Sequence, residues 1–495
     1  MNGSTFKYDI KAGFSVFLLA LPLCLGIAMA SNFPPIAGVI TAIVGGIVSS
    51  FIGSTRLSIK GPAAGLIVIA LGAVNDLGGG DAFLGYKRAL AVGVVAAILQ
   101  ILFALFKWAK VAEIMPPSVI HGMLAAIGVI IIAKQSHVAL GVTATSKGPL
   151  GLLAEIPNSL MHLNPEIFVI GLLSLLIVIL WPKFKKLKDI PASIIVLLVA
   201  IPLTYAFDLI HPHNYRLIGS TFEVGPKFLI NLPGQILSAI TLPDFSVITS
   251  GASIKYIIMF ALVGSIESLL TVVAVDNLDP EKRKSDLNKD LLSVGVGNLI
   301  SSFLGGLPMI SEIVRSKANI DYEAKSKYAN VSHGVFLLLS IAFLPWLLTK
   351  IPLAALAALL VYTGLRLAHP SEFKHSLELG KDQFLLFCVT LIVTLLTDLL
   401  VGVGVGILLK IVLHMSRGVK LSDFLSLDYD KETHGDDVKI KLKGSLVFSN
   451  YLKLMNLLQD EMKTGAKKIH LDLSETLIID HTIQEKLETA NLANV

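Results

Sequence analysis

Apolar runs of roughly 18 or more residues, the length a helix needs to cross a bilayer, recur through the first 416 positions of this 495-residue chain. Inside hydrocarbon every backbone N–H and C=O must find a partner within the protein, so these runs have to form bundled helices. The charge content agrees: 16% of residues are charged and 54% hydrophobic, where a soluble domain carries about 25% charge. The runs are too many for a signal peptide. Met1 to Lys11 also lacks a short apolar segment with a small-residue cleavage site, so the first span is read as retained. Cys24 and Cys388 both fall inside spans and read as small core residues rather than a disulfide framework. The net charge of +5 resides mostly between spans and gives no sign of a nucleic-acid partner.

Fourteen spans are predicted, at about 11–31, 35–53, 62–74, 88–107, 116–134, 166–182, 189–207, 254–275, 290–304, 309–320, 331–349, 352–368, 382–398 and 399–416. An even count puts both termini on one side. Loop charges set which side, because Lys and Arg concentrate on the cytoplasmic face. A cytoplasmic N-terminus places inside Lys107 and Lys110, then Lys183, Lys185, Lys186 and Lys188, then Lys282, Arg283 and Lys284. It also places inside Lys317, Lys325 and Lys327, then Arg366, Lys374 and Lys381, and finally Arg417 and Lys420. The long 135–165 and 208–253 loops, poor in Lys and Arg, fall outside; the 75–87 loop, ending at Lys87 beside Arg88, is a mild exception. The expected location is the cell (inner) membrane with both termini cytoplasmic. The expected fold class is an all-α polytopic membrane protein with a small α/β tail. Its segments are a cytoplasmic stretch at 1–10, a transmembrane domain at 11–416 with repeats at about 11–207 and 254–416, and a tail at 417–495.

Two spans are short, and each follows a glycine-proline break: Gly61-Pro62 and Gly305-Gly306-Leu307-Pro308. The breaks occupy matching places in the two halves. Seven spans per half is odd, so the halves insert in opposite directions as a 7+7 inverted repeat. The two half-helices then approach from opposite faces and their N-termini meet near the midplane. Matched interrupted spans point to a transporter's binding site. The chain before each half-helix must be buried in protein and is expected to be extended, and Leu57-Ser58-Ile59 suits a short strand. A helix N-terminus carries about half a positive charge and unpaired N–H groups, so two of them aimed at one cavity can bind an anion without a cationic side chain. Gly61, Pro62, Ala63 and Ala64 at the first break, and Met309, Ile310 and Ser311 at the second, are the candidate backbone contacts. The alternative is that each break only joins packed helices.

Charges inside spans sharpen the reading. Glu267 lies mid-span with Thr271 four residues on, hence on one helical face. A carboxylate costs roughly 2.5 kcal/mol or more in a membrane and normally faces a cavity or a partner. With a hydroxyl beside it, it suits a Na⁺ site or a proton acceptor; a hydrogen-bonded structural Glu is the alternative. Arg315 is expected two turns into the second half-helix, where it supplies positive charge to an anion or pairs with Glu312 three residues earlier. Lys60 is expected to snorkel to the cytoplasmic side, and His121 to be a packed, hydrogen-bonded residue rather than a proton relay. Gly402-Val-Gly-Val-Gly406 lies in an apolar helix and reads as close packing rather than a nucleotide fingerprint. The loop from Asp276 lacks the spacing of a calcium site, and His211 and His213 have no further ligands nearby. There is no catalytic triad, P-loop or zinc motif; the chain does not read as an enzyme and calls for no cofactor beyond Na⁺ as a coupling ion.

After Arg417 the composition turns soluble. A strand is expected from Val438, a helix over Asn450 to Lys463, a strand from Lys468 and a helix over Thr482 to Ala490. This makes a small α/β unit.

Together these stretches resemble the SulP (sulfate permease) family of anion transporters over nearly the whole chain. The resemblance rests on Ala20-Leu-Pro-Leu-Cys-Leu-Gly-Ile-Ala, Lys60-Gly-Pro-Ala-Ala, Pro117-Ser-Val-Ile-His-Gly, Gly264-Ser-Ile-Glu-Ser-Leu-Leu-Thr with Asp276-Asn, and Gly305-Gly-Leu-Pro with Arg315-Ser. It implies core and gate domains, elevator-type alternating access, a homodimer and a C-terminal STAS domain. Asp472-Leu-Ser and Asp480-His-Thr resemble that domain's strand-loop-helix, with the final elements missing. It also puts Glu267 and Thr271 where bicarbonate–sodium symporters carry their cation site, and Leu23 and Cys24 beside the anion. Leu23 stands where many members have a polar Gln. Met309-Ile-Ser-Glu replaces a smaller-residue start, and Glu312 joins Glu267 and Thr271 as a candidate for cation coupling. This Glu-containing variant resembles a bacterial subgroup found beside carbonic anhydrases, which leans toward bicarbonate over sulfate and implies a functional link to such an enzyme. The expected function is secondary active transport of a small inorganic anion with Na⁺ or H⁺. The rivals are a nucleobase:cation symporter on the same fold and a non-transporting anion sensor.

Overall fold

The structure, a computed structural model, describes residues 3–109, 115–146, 148–184, 190–217, 219–232, 239–434, 437–464 and 468–484. Lys110, Lys185, Lys186 and Lys188, used above to orient the loops, lie outside these residues, as does most of the expected Thr482–Ala490 helix.

The chain begins with helices α1 (Gly3–Ala30) and α2 (Pro35–Ile52), strand β1 (Ile59–Pro62), and helices α3 (Ile67–Gly78), α4 (Ala82–Leu105), α5 (Pro117–Ala139), α6 (Pro149–Met161), α7 (Pro165–Leu180) and α8 (Ala192–Ala206). A hairpin follows, β2 (His213–Leu217) with β3 (Ser220–Val224). Next come α9 (Gly251–Leu278), α10 (Leu287–Phe303), β4 (Met309–Glu312), α11 (Ile313–Asp321), α12 (Tyr328–Phe343), α13 (Pro345–Leu348) and α14 (Leu353–Leu367). The remainder is α15 (Pro370–Glu378), α16 (Lys381–Leu396), α17 (Leu399–Ser416), α18 (Leu421–Leu425), β5 (Asp428–His434), β6 (Asp437–Leu446), α19 (Tyr451–Lys463) and β7 (Lys468–Ile479). Each of the fourteen expected segments overlaps helical structure, with shifted bounds. Eight helices among the described residues are long and apolar enough to cross a membrane. The chain divides into two compact units, Met1–Ala109 with Leu124–His369, and Lys110–Met123 with Pro370–Val495.

In the first unit α2 is central, packing on α1, α10 and α12, while α4 packs on α3, α9 and α10. Local signals start the helices. Asp81 accepts from the Phe83 and Leu84 N–H groups at the head of α4, and Asp286 from Asn288 and Lys289 at the head of α10. Gly79, left-handed at φ +58°, ends α3.

The breaks depart from the expectation in two respects. The first strand runs Ile59–Pro62 through the Gly-Pro itself, rather than over Leu57-Ser58-Ile59. The second half-helix does not start at Met309: residues 309–312 are extended, and α11 begins at Ile313. Arg315 therefore lies in the first turn, not two turns in. The physical reason is backbone pairing. The strands lie antiparallel, with Gly61 opposite Ile310 and Pro62 opposite Met309, so each supplies the other with partners where no water is present. The helices that follow span only 12 and 9 residues, about 18 and 14 Å, half a membrane's depth.

In the second unit Gly402 and Gly406 of α17 fit against Thr394 and Thr390 of α16, the close packing expected of that motif. The tail is a three-stranded sheet, β5 antiparallel to β6 and β6 parallel to β7, with α19 over it. Its core holds Ile440, Leu442, Leu454, Leu458 and Ile469. β5 was not expected, because Asp428–His434 is polar throughout. It is held by backbone pairing and by cross-strand charges such as Lys443–Asp430 at 2.6 Å.

Candidate functional site

The ribbon of β1 and β4 sits among side chains that complete its hydrogen bonding. Asn298 of α10 accepts from the Met309 N–H at 2.5 Å and donates to the Met309 carbonyl at 3.1 Å and to Gln100 at 2.8 Å. Ser268 Oγ accepts from the Ser311 N–H (3.1 Å), and Ser316 Oγ from the Ile59 N–H (2.9 Å). Asn319 donates to the Leu57 carbonyl, and Thr41 to the Leu307 carbonyl, each at 2.9 Å. A two-stranded ribbon leaves its outer edges open; small polar residues from four helices close them.

Two cations are buried at this crossing. Lys60, on β1, is 1% exposed and does not snorkel: its Nζ lies 2.9 Å from Asp290. Snorkelling fails because Asp290 offers a near partner inside, itself held by the Ser54 and Thr55 N–H groups and the Ser54 hydroxyl. Arg315, also 1% exposed, donates from Nη2 to the Pro62 carbonyl at 3.3 Å, while Nε and Nη1 have no hydrogen-bond partner. A side chain at Gly61 would run into Nη1, so the missing Cβ is what lets the guanidinium reach β1. Cys24 of α1 lies beside it. Glu312 acts on it electrostatically without a hydrogen bond, so the expected i, i+3 pair is loose.

Glu267 of α9 is buried against Gly65, where any Cβ would collide with its carboxylate, and its Oε1 has no hydrogen-bond partner. Glu312 is within its electrostatic reach. Thr271, also buried, follows one turn along α9. Leu23, Ala64, Glu312 and Arg315 share one cavity of about 440 Å³, walled otherwise by mostly apolar side chains from α1, α7, α8 and α14, with Ser193, Thr363 and a second cation, Arg366, among them.

The structure thus gathers Leu23, Cys24, Gly61, Ala64, Glu267, Glu312 and Arg315. Pro62 and Ala63 are buried beside them. Met309 points elsewhere, with its sulfur against Ser49 and Gly297, while Ile310 packs toward Gly264 and Ser311 Oγ is buried without a partner. His121 lies in the other unit, hydrogen-bonded to Glu372 at 2.8 Å. Among the described residues no group of three or more His, Cys, Asp or Glu could hold a metal. The sequence reading passed over Asp290, Asn298 and His333. His333 in α12 carried the same signal as His121, a lone imidazole in an apolar span. Asp290 and Asn298 could only be recognised through partners far away in the chain.

A model described as "Sulfate permease family" matches residues 6–390. YvdB of Bacillus subtilis is 27% identical over 98% of this chain and 89% of its own length. The bicarbonate transporter BicA of Picosynechococcus sp. is 27% identical over 78% of this chain and 66% of its own. Among solved structures, the transmembrane domain of a cyanobacterium BicA superimposes with a TM-score of 0.69 at 24% identity, covering 81% of this chain and 98% of that one. The murine Slc26a9 anion transporter, inward-facing, gives 0.72 at 15% identity over 99% and 84%. At these identities the two superpositions speak to the fold.

Proposed function

Since this chain belongs to the sulfate permease family, whose members are transporters rather than enzymes, we propose that it carries a small inorganic anion, bicarbonate or sulfate, by secondary active transport coupled to Na⁺ or H⁺. The observation that carries the reading is Arg315: a fully buried guanidinium with two nitrogens unpaired, on the wall of a cavity between two half-helix starts. Burying a cation without a full set of partners is costly, and an anion in that cavity would complete the set. The relatives BicA of Picosynechococcus sp. and sulfate transporter 4.1 of Arabidopsis thaliana carry bicarbonate and sulfate in their names, which supports the anion class over a nucleobase.

In this reading Arg315 holds the anion, with Gly61 to Ala64 lining its approach and the positive end of α3 aiding it. Glu267, with Thr271, takes the coupling cation, and Glu312 tunes the charge between the two sites. Binding the cation at Glu267 lowers the negative charge near the anion, so each ligand favours the other; that mutual effect is the coupling. The 7+7 repeat, elevator movement of a core against a gate, a homodimer and cytoplasmic termini belong to the same proposal. The matched breaks and the loop charges support it.

The test is uptake by proteoliposomes of radiolabelled sulfate and bicarbonate, with a Na⁺ gradient, a proton gradient or none. The expected result is accumulation of one anion under one gradient, lost in Glu267→Gln while anion binding persists. Uptake of uracil or xanthine with neither anion carried would sink the proposal, as would coupling unchanged in Glu267→Gln.

A further inference from the structure

The cavity that holds Arg315 has a second cation in its wall, Arg366. Arg366 stands in the last turn of α14 and is exposed, whereas Arg315 is buried to 1%. The two residues mark different ends of one space. α14 lines the cavity from Leu359 and Leu360, both buried, to Arg366 and Leu367. α11 lines it from Arg315, in its first turn, to Tyr322, just past its last residue. Each stretch is about two turns of helix, a rise of about 10 Å. Arg366 therefore stands on the order of 10 Å along the cavity from Arg315. Among the described residues it has neither an ion pair nor a hydrogen-bond partner, so no neighbour cancels its charge.

The charged residues lining the cavity are Arg315, Arg366 and Glu312. Tyr322 and Tyr362, also in the wall, are neutral at pH 7. Glu312, when ionised, offsets one arginine and leaves a single positive charge. Whichever state Glu312 is in, removing Arg366 removes one positive charge. The energy of an anion in the field of that charge is proportional to the anion's own charge. At about 10 Å it changes the affinity for a monoanion about twofold in water-like surroundings and about fifteenfold at an effective dielectric constant of about 20. For a dianion the energy doubles and each factor is squared. We infer that Arg366 sets the valence preference of the anion site: its field reaches along the cavity without contact and favours a dianion such as sulfate over a monoanion such as bicarbonate. This rests on Arg315 as the anion site. The bland alternative is that Arg366 only complements the negative end of α14. In that case its loss would leave the balance between the two anions unchanged.

The experiment uses the full chain purified in detergent. At pH 8, where the two anions are divalent and monovalent, sulfate and bicarbonate binding are measured calorimetrically for wild type, Arg366→Gln and Arg366→Lys. Ionic strength is set with bulky sodium gluconate at about 0.01 M and about 0.1 M, where the screening length is about 30 Å and about 10 Å. Arg366→Gln should weaken both anions, with the fold-loss for sulfate about the square of that for bicarbonate. Both losses should shrink at the higher ionic strength. Arg366→Lys, which keeps the charge, should stay close to wild type. Unchanged affinities, equal fold-losses for the two anions, or a Lys variant as weak as the Gln variant would each overturn the inference. If wild type binds only one of the two, its loss must appear in Arg366→Gln, recover in Arg366→Lys and shrink with salt; the absence of any of these overturns it. Arg366→Met, which keeps the apolar stem, is the second neutral variant should Arg366→Gln not fold. Binding of neither anion by wild type refutes the anion reading itself, a result distinct from binding that is indifferent to Arg366.

Discussion

Lys60 and Arg315 stand on the two broken segments, a few residues from facing positions of one strand ribbon, and both are buried to 1%. Their surroundings differ. Lys60 meets Asp290 at 2.9 Å, and Asp290 is satisfied by two further N–H groups. Arg315 has one weak carbonyl contact and two open nitrogens. The backbone at the two breaks is alike, strand then short helix; the chemistry is not. A buried cation with its own carboxylate belongs to the fold. On the proposed reading, a buried cation left open is held ready for an anion that comes and goes. Lys410, the third fully buried cation among the described residues, falls with Lys60: it lies 2.9 Å from Asp480 and 2.6 Å from the Thr482 hydroxyl.

The comparison breaks most readily at Lys60. Lys60→Ala leaves Asp290 charged and buried, and should cost about 3–5 kcal/mol of stability, read as a large fall in thermal unfolding temperature in detergent. Asp290→Asn in the same protein should recover much of it. If Lys60→Ala instead leaves stability intact and weakens anion binding, the two cations have been assigned the wrong way round. Arg315→Ala should do the reverse. Losing a charged hydrogen-bonding partner costs about 1.5–3 kcal/mol, so apparent anion affinity should drop roughly tenfold to hundredfold, with a smaller effect on stability than at Lys60. Unchanged affinity would make Arg315 a structural residue like Lys60.

What the sequence could reveal follows the same division. The breaks were legible because Gly and Pro interrupt apolar runs, and Arg315 and Glu267 because charge is rare in a span. The half-helices were placed a few residues early at 309, since nothing in Met309–Glu312 announces a strand; it is extended because Ile59–Pro62 is there to pair with it. Lys60 was misread for the same reason. Its partner is 230 residues away, and a lone lysine beside a span looks like one that reaches for water. Long-range pairing leaves no local signature. β5 of the tail shows this too: a wholly polar stretch becomes a strand only because β6 offers an edge.

Asp480 extends the comparison to pH. Burial alone would raise its carboxyl, but the His414 imidazole 3.4 Å away and the Lys410 ammonium at 2.9 Å outweigh that and hold it below the usual carboxylate range. A carboxylate whose folded pKa is depressed stabilises the fold above its unfolded value, about 3.9, and loses that contribution as pH falls through the folded one. Acidifying from pH 5 downward should therefore weaken the wild type by an amount on the order of 2 kcal/mol more than Asp480→Asn, seen as converging unfolding temperatures. Curves that stay parallel would remove Asp480 from the paired class.

The finest discrimination comes at Leu23, which shares the cavity with Glu312 and Arg315 and adds no polar atom to it. If the open face of Arg315 receives the anion, a donor placed at position 23 adds one hydrogen bond to the same ligand, worth about 0.5–1.5 kcal/mol. Leu23→Gln should then tighten binding by roughly two- to tenfold, and the gain should largely vanish in Arg315→Ala, because two groups on one ligand do not act independently. A gain of the same size with and without Arg315 would mean that the anion sits against the Gln and the helix ends alone. Arg315 would then join Lys60 as part of the frame, despite its two unpaired nitrogens.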